Sequence, residues 1–369
     1  MTEWIECTLD KLGEIVGGAT PSTKCEDYYG GSIPWITPKD LSSFKGRYIT
    51  SGERNITEKG LASCSAQMMP KDAVLFTSRA PIGYVAIASQ SVCTNQGFKS
   101  IVVNEKADPL FVYYLLKYNK DAIEAMGSGT TFKEVSGKTM RAVKVRIPLD
   151  VSYQKRIAAV LDSLDTKIEN NERINDNLQQ QAQAIYFSMF IDNPDPAWSH
   201  GHLTDLITVK YGKDHKKLAD GIYPVYGSGG IMRYVERPLY NKESVLIPRK
   251  GTLNNVMYVN QPFWSVDTMF YTEMKLPNVA KFVYHFVKAK DLASMNAGSA
   301  VPSMTTDILN AMEVVIPSAS ALEEFESLVA PMYEAMEAND VQSKALSQIR
   351  DTLLPKLMSG EIDVSDVQL

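Results

Sequence analysis

The sequence repeats itself with a period of about 170 residues, and this duplication limits the possible folds more than any other feature. Residues Gly129–Pro148 (GTTFKEVSGKTMRAVKVRIP) align without a gap with Gly298–Pro317 (GSAVPSMTTDILNAMEVVIP). Residues Asp72–Gln90 and Glu243–Gln261 share a Val-Leu core followed by a basic residue, and TLDKLGEIVGG near the start resembles HLTDLITVKYG. The first copy holds about 23 extra residues between the anchor near the start and the Val-Leu core. The repeat predicts two domains of similar architecture.

Each copy has the same order of secondary-structure patterns. Short β-like runs such as AVLFTS, GYVAIA, SVLIP and VMYVN are separated by Gly, Pro and Asn, with helical segments such as LFVYYLLKYNK between them. A proline, Pro148 or Pro317, then precedes a long helical run. The fold class predicted is α+β, with two duplicated mixed α/β domains separated by two long helices. The expected ranges are 1–150 (first domain), 151–192 (first helix), 193–318 (second domain) and 319–369 (second helix and tail).

The two long helices both interrupt an apolar seam near the middle. The first has the 4-3 spacing of a coiled coil, with asparagine at two central positions: Ile157, Leu161, Leu164, Ile168, Asn171, Asn175, Leu178, Ala182, Ile185 and Met189. A shift of 168 residues gives the second seam: Phe325, Val329, Met332, Met336, Asn339, Ser343, Leu346, Arg350, Leu353 and Leu357. Asn171 therefore coincides with Asn339, and Asn175 with Ser343.

This coincidence predicts that the helices pair antiparallel about a pseudo-two-fold axis, with the asparagines together. Buried polar residues in a seam cost stability but fix register and orientation. The alternative is two unrelated amphipathic helices, each packed on its own domain. Pro331 lies inside the second helix and is expected to kink or restart it.

Charge is distributed unevenly. The net charge of −5 and the pI of 5.6 argue against nucleic-acid binding by the chain as a whole. Residues 1–150 and 198–317, however, carry +2 and +3, whereas residues 151–197 and 318–369 carry −3 and −7. Two mildly basic blocks thus alternate with two acidic ones, which leaves DNA binding by the blocks open. Random variation of surface charge is the alternative.

The N-terminus lacks a signal-peptide pattern, and no apolar run approaches the ~18 residues of a membrane span, so we expect a cytoplasmic protein without a membrane partner. The cysteines are expected to be reduced thiols rather than disulfides or zinc ligands, because they form no CxxC pair: Cys7, Cys25, Cys64 and Cys93.

Motifs for catalysis are incomplete. NPDPAW at Asn193–Trp198 differs from the Asn/Asp-Pro-Pro-aromatic loop of adenine methyltransferases, and Gly137–Thr139 lacks the earlier glycine of a P-loop. Asp267, Glu273 and Lys275 have the composition of a nuclease metal site, but such a scatter is expected by chance. The histidines show no metal-ligand spacing. We expect a non-catalytic chain that binds no metal or cofactor of its own.

Four segments together resemble the specificity subunit of Type I restriction-modification systems, over essentially the whole chain. They are GGATPSTKCEDYYGGSIPWITPKDL, YQKRIAAVLDSLDTKIENNERINDNL, YPVYGSGG with VLIPRKGTLNNVMYV, and LLPKLMSGEI. Two departures occur: Tyr153 replaces the acidic residue often found before the glutamine of the first helix, here Gln154, and the second helix reads ALEEF without a glutamine.

The resemblance implies two target recognition domains, each reading one half of a bipartite double-stranded DNA site. It also implies that the antiparallel helices hold these domains apart and dock two methylation subunits. S-adenosylmethionine is then expected on those partners, and restriction (motor and nuclease) subunits are further candidate partners.

The residues best suited to read DNA are those with cationic, amide or hydroxyl side chains in loops that contain Gly or Pro. In the first block the candidates are Thr20, Ser22, Lys24, Thr37, Lys39, Ser78, Arg79, Thr131 and Lys133. In the second block they are Lys213, His215, Lys216, Lys217, Tyr226, Ser228, Arg249, Lys250, Asn254 and Asn255. The loops at Arg79 and Arg249 carry most weight, because both follow a strand core at equivalent places.

For KDHKKL (Lys213–Leu218) an ordinary solvated surface is an equal alternative. Trp35 and Trp264 are interpreted as core residues rather than base-stacking platforms.

Two other functions fit parts of the sequence. A two-lobed coiled-coil scaffold that binds protein or glycan, and not DNA, would also contain duplicated β-rich blocks with long helices. A silent copy that donates domains by recombination would have the same sequence features. The blockwise positive charge and the order of the motifs favour the specificity subunit.

Overall fold

The computed structural model describes residues 2–129, 133–295 and 303–367. These residues form two compact units, each with its own hydrophobic clusters. The first contains the described residues up to Arg173 together with those from Asn339 onward, and the second contains Ile174–Ala338. Each unit therefore includes one β-rich block and a stretch of both long helices.

The first unit contains ten strands and five short helices before the first long helix. They are β1 (Trp4–Thr8), β2 (Gly13–Gly17), β3 (Tyr29–Ile36), α1 (Pro38–Ser42), β4 (Tyr48–Ile49), β5 (Asn55–Ile56), α2 (Glu58–Ala62), β6 (Val74–Ser78), β7 (Ile82–Ala88), β8 (Cys93–Thr94), β9 (Lys99–Val103), α3 (Pro109–Tyr118), α4 (Lys120–Ala125), α5 (Gly137–Arg141) and β10 (Lys144–Pro148). The long helix α6 spans Val151–Phe187, and 3₁₀ turns occur at Leu9–Lys11 and Glu26–Tyr28.

The strands of the first unit form a five-stranded sheet, β2-β9-β6-β7-β4, a three-stranded sheet, β5-β3-β8, and a ribbon of β1 with β10. Strand β6 is buried along its whole length because it lies in the middle of the larger sheet, as its Val-Leu-Phe core indicates. Helix α3 packs on this sheet and begins at a strong start signal: Asp108 accepts a bond from the amide of Phe111 at 2.9 Å, and Pro109 follows at the first helical position.

The second unit repeats this order. A π-helical turn at Ser188–Asp192 leads to β11 (Ser199–His202), α7 (Leu203–Leu206), β12 (Ile207–Tyr211), β13 (Asp220–Gly227), β14 (Gly230–Val235), β15 (Ser244–Pro248), β16 (Met257–Val259), β17 (Trp264–Ser265), β18 (Met269–Met274), α8 (Ala280–Lys288), α9 (Thr306–Asn310), β19 (Glu313–Ile316) and the long helix α10 (Ala319–Ser359). The sheets are β12-β18-β15-β16, β14-β13-β17 and the ribbon β11-β19.

The strand orders confirm the predicted duplication. Strands β2, β9, β6 and β7 of the first unit match β12, β18, β15 and β16 of the second, in the same neighbour order. One backbone hydrogen bond is also repeated. The amide of Val135 donates to the carbonyl of Ser78 at 3.0 Å, and the amide of Met304 donates to the carbonyl of Arg249 at 2.9 Å. These four residues are paired by the ungapped alignments. The extra residues of the first copy include α1, β4 and α2.

The long helices pair antiparallel within each unit, which confirms that part of the fold prediction. In the first unit Asp165 contacts Arg350 and Asn171 contacts Asn339, so rising numbers on α6 meet falling numbers on α10. In the second unit Asn175 contacts Met336, and the rings of Tyr186 and Phe325 lie 6.3 Å apart.

Helix α10 runs through Pro331 without interruption, so the prediction that the helix restarts there is wrong. Proline removes the hydrogen bond to the carbonyl four residues earlier, that of Ser327. Both Pro331 and Ser327 are exposed, so water can bond that carbonyl, while the buried Val329 and Tyr333 hold the helix on its inner side.

Candidate nucleic-acid interface

The basic loops of the second unit emerge from one edge of its four-stranded sheet. Strand β12 ends at Tyr211, which pairs with Phe270 of β18, and β15 ends at Pro248, which pairs with Met269. The ends of β12 and β15 therefore lie beside the start of β18. The candidates that follow these two strand ends leave the sheet at this shared edge: Lys213, His215, Lys216, Lys217, Arg249 and Lys250.

Arg249 is held in place at this edge, whereas Lys250 points into solvent. The Arg249 guanidinium lies 5.4 Å from the centre of the Tyr211 ring and donates to the carbonyl of Asp267 at 3.3 Å. Both basic residues bond the carbonyl of Thr268 through their amides, at 2.9 and 3.2 Å. The Lys250 side chain is exposed. This pair supplies one oriented and one exposed cation, and such side chains can contact DNA phosphates.

The two asparagines of the next turn hold neighbouring loops. Asn255 donates to the carbonyl of Ser228 at 2.8 Å, which ties the β13–β14 turn to the basic loop. Asn254 donates to Asp291 at 3.0 Å and accepts from the amide of Ala293 at 2.9 Å. These bonds occupy the amides predicted to read bases, although Asn254 is itself exposed.

The first unit has an equivalent edge. Gly17 at the end of β2 pairs with Lys99 at the start of β9, and β6 ends at Ser78 beside them. The carboxylate of Glu134 bridges Arg79 at 3.3 Å and Lys99 at 3.5 Å. Arg79 is about one-third exposed, so DNA phosphate could compete with Glu134 for it.

The residue after the basic position has a left-handed backbone in both copies. Ala80 has φ +52° and Gly251 has φ +84°. Glycine adopts this conformation without a steric cost, whereas alanine does so only when the surroundings hold it. The shared conformation indicates that both loops turn in the same way after the basic side chain.

The other candidates of the first block have varied surroundings. Thr20 donates to Gln96, Thr37 caps α1 by bonding Asp40 at 2.6 Å, and Lys39 forms an exposed ion pair with Glu53 at 2.6 Å. Ser22, Lys24 and Lys133 are exposed, and Thr131 lies outside the described residues. Thr20, Thr37 and Lys39 thus bond neighbours other than Arg79.

Two candidates are buried, and the structure does not support DNA contacts by their side chains. Ser78 is fully buried and donates to the carbonyl of Gly97 at 3.2 Å. Tyr226 is 8% exposed, and its hydroxyl accepts from Gln261 at 3.3 Å. Both lie at strand ends, where the sequence pattern does not distinguish the last inward-facing residue from the first residue of the loop.

The two tryptophans are core residues, as interpreted from the sequence, and each also anchors a candidate loop. The indole of Trp35 donates to the carbonyl of Ala19 at 3.0 Å, and the indole of Trp264 donates to the carbonyl of Lys213 at 2.8 Å. Ala19 follows β2 and Lys213 follows β12, so equivalent loops are tethered in the two units.

The polar seam residue of the first unit is buried between the helices. The Asn171 amide nitrogen donates to the backbone carbonyl of Asn339 at 3.3 Å, to Gln342 at 2.9 Å and to Ser343 at 3.1 Å. Asn171 thus meets the predicted residue, but through its backbone rather than its side-chain amide. In the second unit Asn175 donates to the carbonyl of Met336 at 3.2 Å. The hydrogen bonds of both asparagines therefore require the two helices to keep one register.

Sequence reasoning missed a buried ionic network in the first unit. Arg47, from the loop before β4, lies 3.2 Å from both Asp162 and Glu169 and 3.9 Å from Asp165 of α6. Arg350 of α10 pairs with Asp165 at 2.7 Å. Burial opposes the charge on Arg47, but these carboxylates outweigh it and raise its pKa. The only sequence signal for the ion pair of Asp165 with Arg350 is their opposite charge, since Asp165 lies next to the first seam and Arg350 lies in the second.

The described ranges contain neither a metal-ligand cluster nor a membrane-spanning helix. No group of three or more His, Cys, Asp or Glu residues in residues 2–129, 133–295 and 303–367 is placed to hold a metal ion. None of the helices described is long and apolar enough to cross a membrane. Cys93 is buried, which raises the pKa of its thiol to about 12.

Known proteins match this chain along its length. A sequence model of the Type I restriction modification DNA specificity domain matches residues 1–180 and 197–325. The Type I restriction enzyme MjaIX specificity subunit of Methanocaldococcus jannaschii is 32% identical, over 99% of this chain and 95% of that protein. The EcoprrI specificity subunit of Escherichia coli is 23% identical, over 90% and 89%.

A crystal structure of a Type-I restriction-modification S subunit from M. genitalium has the same fold, with a TM-score of 0.63 at 20% identity and 96% coverage of both chains. These matches support the specificity role and not the scaffold alternative. The family match over both blocks, with a full-length relative at 32% identity, shows that the chain belongs to the type I restriction-modification DNA specificity family.

Proposed function

We propose that this chain selects the DNA sequence on which a type I restriction-modification complex acts, and that each block reads one half of a bipartite site. One observation carries the proposal: in a chain of this family, both blocks present a basic loop from the same sheet edge, at Arg79 and at Arg249–Lys250. Each loop contains the equivalent backbone hydrogen bond and the same left-handed turn. Cations at such an edge can contact phosphate and the edges of bases.

The block boundaries follow from this proposal. The first target recognition domain is the block that ends with β10 at Pro148, and the second runs from β11 to the end of β19 at Ile316. Helices α6 and α10 are the spacers between them. Their length sets the distance between the half-sites, since a helix rises about 1.5 Å per residue.

The proposed partners are double-stranded DNA and two methylation subunits, with restriction subunits as further candidates. The outer faces of the long helices are acidic, and acidic faces repel DNA but suit a protein partner. Helix α10 also exposes Val341 and Ile349 among these charges, at 65% and 48%. Apolar residues rimmed by charge are typical of a protein interface. S-adenosylmethionine would bind the methylation subunits, and this chain would contribute no catalytic group.

The test is co-expression of the full chain with a type I methylation subunit from the same genome, in cells without other DNA methylation, followed by methylome sequencing. The expected result is methylation at one bipartite sequence with an unread spacer. Cells with the methyltransferase alone are the control and should show no such motif. Methylation in the control at the same sites, or no motif in either strain, would contradict the proposal.

A further inference from the structure

The β13–β14 hairpin of the second unit exposes apolar side chains on an edge strand. Strand β14 is the outer strand of the sheet β14-β13-β17, and its residues Ile231 and Met232 are 49% and 61% exposed. Proteins usually protect such an edge with charged residues. Exposed apolar side chains at an edge therefore suggest contact with another molecule.

The turn of this hairpin is fastened to the basic loop. Gly227 pairs with Gly230 across the two-residue turn, and Asn255 donates to the carbonyl of Ser228 in the turn at 2.8 Å. A Cβ atom added at Gly251 would lie 2.6 Å from the hydroxyl of Ser228, so the turn and the basic loop approach closely. Lys250 immediately precedes Gly251, and its side chain is exposed.

A second basic segment lies along β14. Arg233, one residue after Met232, donates to the carbonyl of Leu218 at 3.0 Å. Its charge is paired with Asp220 at 2.8 Å, but Lys216 and Lys217, which precede Leu218, are exposed. Ile231 and Met232 thus lie between two segments with exposed cations.

We propose that the β13–β14 hairpin enters the major groove of one half-site, where Ile231 and Met232 contact the C5 methyl groups of thymines. The inference rests on the proposed function and specifies which element of the second block reads bases. A two-stranded ribbon fits the major groove, whose width is about 12 Å, and the thymine methyl is an apolar group exposed there. The flanking lysines would contact the phosphates on either side of the groove.

The first unit has no equivalent of this ribbon among its described residues. The position of β14 is taken by β5, two residues long, in which Ile56 is fully buried. The inference therefore applies to one half-site only, and this restriction makes it testable.

The experiment selects binding sites from a pool of random duplexes with the full chain. Wild type is compared with the double variant Ile231→Ser, Met232→Ser. We expect the variant to lose its preference for thymine at one or two positions of one half-site, with the other half unchanged. Ile222→Ser is the matched control: Ile222 is 78% exposed at the opposite end of the same hairpin and should leave the selected sequence unchanged.

A second measurement removes only the methyl group. Deoxyuridine replaces thymidine at the positions that the double variant no longer distinguishes. Wild-type affinity should fall by about fourfold for each methyl group in contact, the ratio expected for one buried carbon. The double variant should bind both duplexes equally.

Each other outcome overturns the inference in a recognisable way. If the double variant selects the wild-type sequence, the hairpin does not read bases, while DNA recognition by the chain stands. If it instead converts a dimer to a monomer, measured by light scattering, with the sequence unchanged, β14 pairs with a second copy. If wild type itself binds no duplex, the proposed function fails and the inference fails with it.

Discussion

The hydroxyl of Tyr114 donates to Asp165 at 2.7 Å, which joins helix α3 of the first block to the long helix α6. In the second unit His285 of α8 and Tyr333 of α10 are in contact at 2.9 Å. The repeat aligns Tyr114 with His285 and Asp165 with Tyr333. Each block is therefore joined to the helix that follows it by a buried polar contact at the same place, although the residue types differ. These contacts fix the orientation of each block on its own helix.

Removal of the Asp165 carboxylate should strongly destabilise the first unit. Asp165→Ala leaves Arg350 without its closest partner, removes one carboxylate from Arg47 and deprives Tyr114 of its acceptor. Loss of one partner from a buried ionic network costs about 3–5 kcal/mol. The free energy of unfolding, from denaturant titration, should fall by about this amount.

The control for this prediction is Asp351→Ala. Asp351 also pairs with Arg350, at 2.8 Å, but its side chain is 66% exposed. Exposed pairs contribute about 0–1 kcal/mol. If the free energy of unfolding fell equally in the two variants, the buried ionic network would stabilise the first unit no more than an exposed ion pair does.

The second unit should lose stability on acidification because of His285. Burial, with a smaller effect from Lys288, lowers the pKa of His285 from 6.5 to about 4. The folded state therefore binds fewer protons than the unfolded state between these values, and stability falls as the pH drops from about 6.5 to about 4. The full loss is about 3 kcal/mol for this shift.

His285→Gln should remove most of this pH dependence, since glutamine can still bond Tyr333 but does not titrate. Unfolding of the second unit can be followed between pH 4 and 7 by hydrogen exchange in α8. His200→Gln, at an exposed position, is the control and should retain the wild-type slope. If the stability of the two variants depends equally on pH, His285 is not the cause of the loss on acidification.

The double variant Asn171→Leu, Asn339→Leu should stay folded, with equal or greater stability. The side-chain oxygen of Asn171 is buried and accepts no hydrogen bond, so leucine removes an unsatisfied acceptor. The substitutions also remove polar contacts that fix the register, so a seven-residue slide of one helix along the other should cost less free energy. We expect a less uniform assembly in sedimentation and a less uniform spacer in methylome data, whereas Asn177→Leu, on an exposed face, should behave as wild type.

Arg249→Ala and Arg79→Ala should each weaken DNA binding. If the arginine contacts a base, discrimination at one position of one half-site falls by about 1–3 kcal/mol. If it contacts phosphate, binding weakens for all sequences and the salt dependence decreases. Binding assays over a range of salt separate these cases. Arg237→Ala removes an exposed charge beyond the far end of β14 and should have little effect.

The duplication, the strand cores and the antiparallel helices could be predicted from sequence, because each depends on a pattern that local residues carry. The central strands β6 and β15 each contain a run of three apolar residues that begins with Val-Leu, and the seams repeat with the same polar break. Residues distant in sequence but close in space gave no such signal. Arg47 could not be assigned to α6, since it lies more than a hundred residues from its partners.

The candidate interface was predicted at the level of loops rather than residues. The loops at Arg79 and Arg249 do lie at equivalent sheet edges, as their positions after a strand core indicated. Ser78 and Tyr226 are buried, because the exact end of a strand decides which side chain points inward. The exposed side chains of the β13–β14 hairpin could not be predicted, because Ile231 and Met232 look like core residues in the sequence.

The most direct test of modular DNA reading is a block exchange followed by methylome sequencing. Residues 200–315 are replaced by the corresponding block of a relative, and the chimera is expressed with the same methyltransferase. The account predicts that one half of the methylated site changes to the relative's sequence, while the other half is retained. A change in both halves, or in neither with the complex still active, would contradict it.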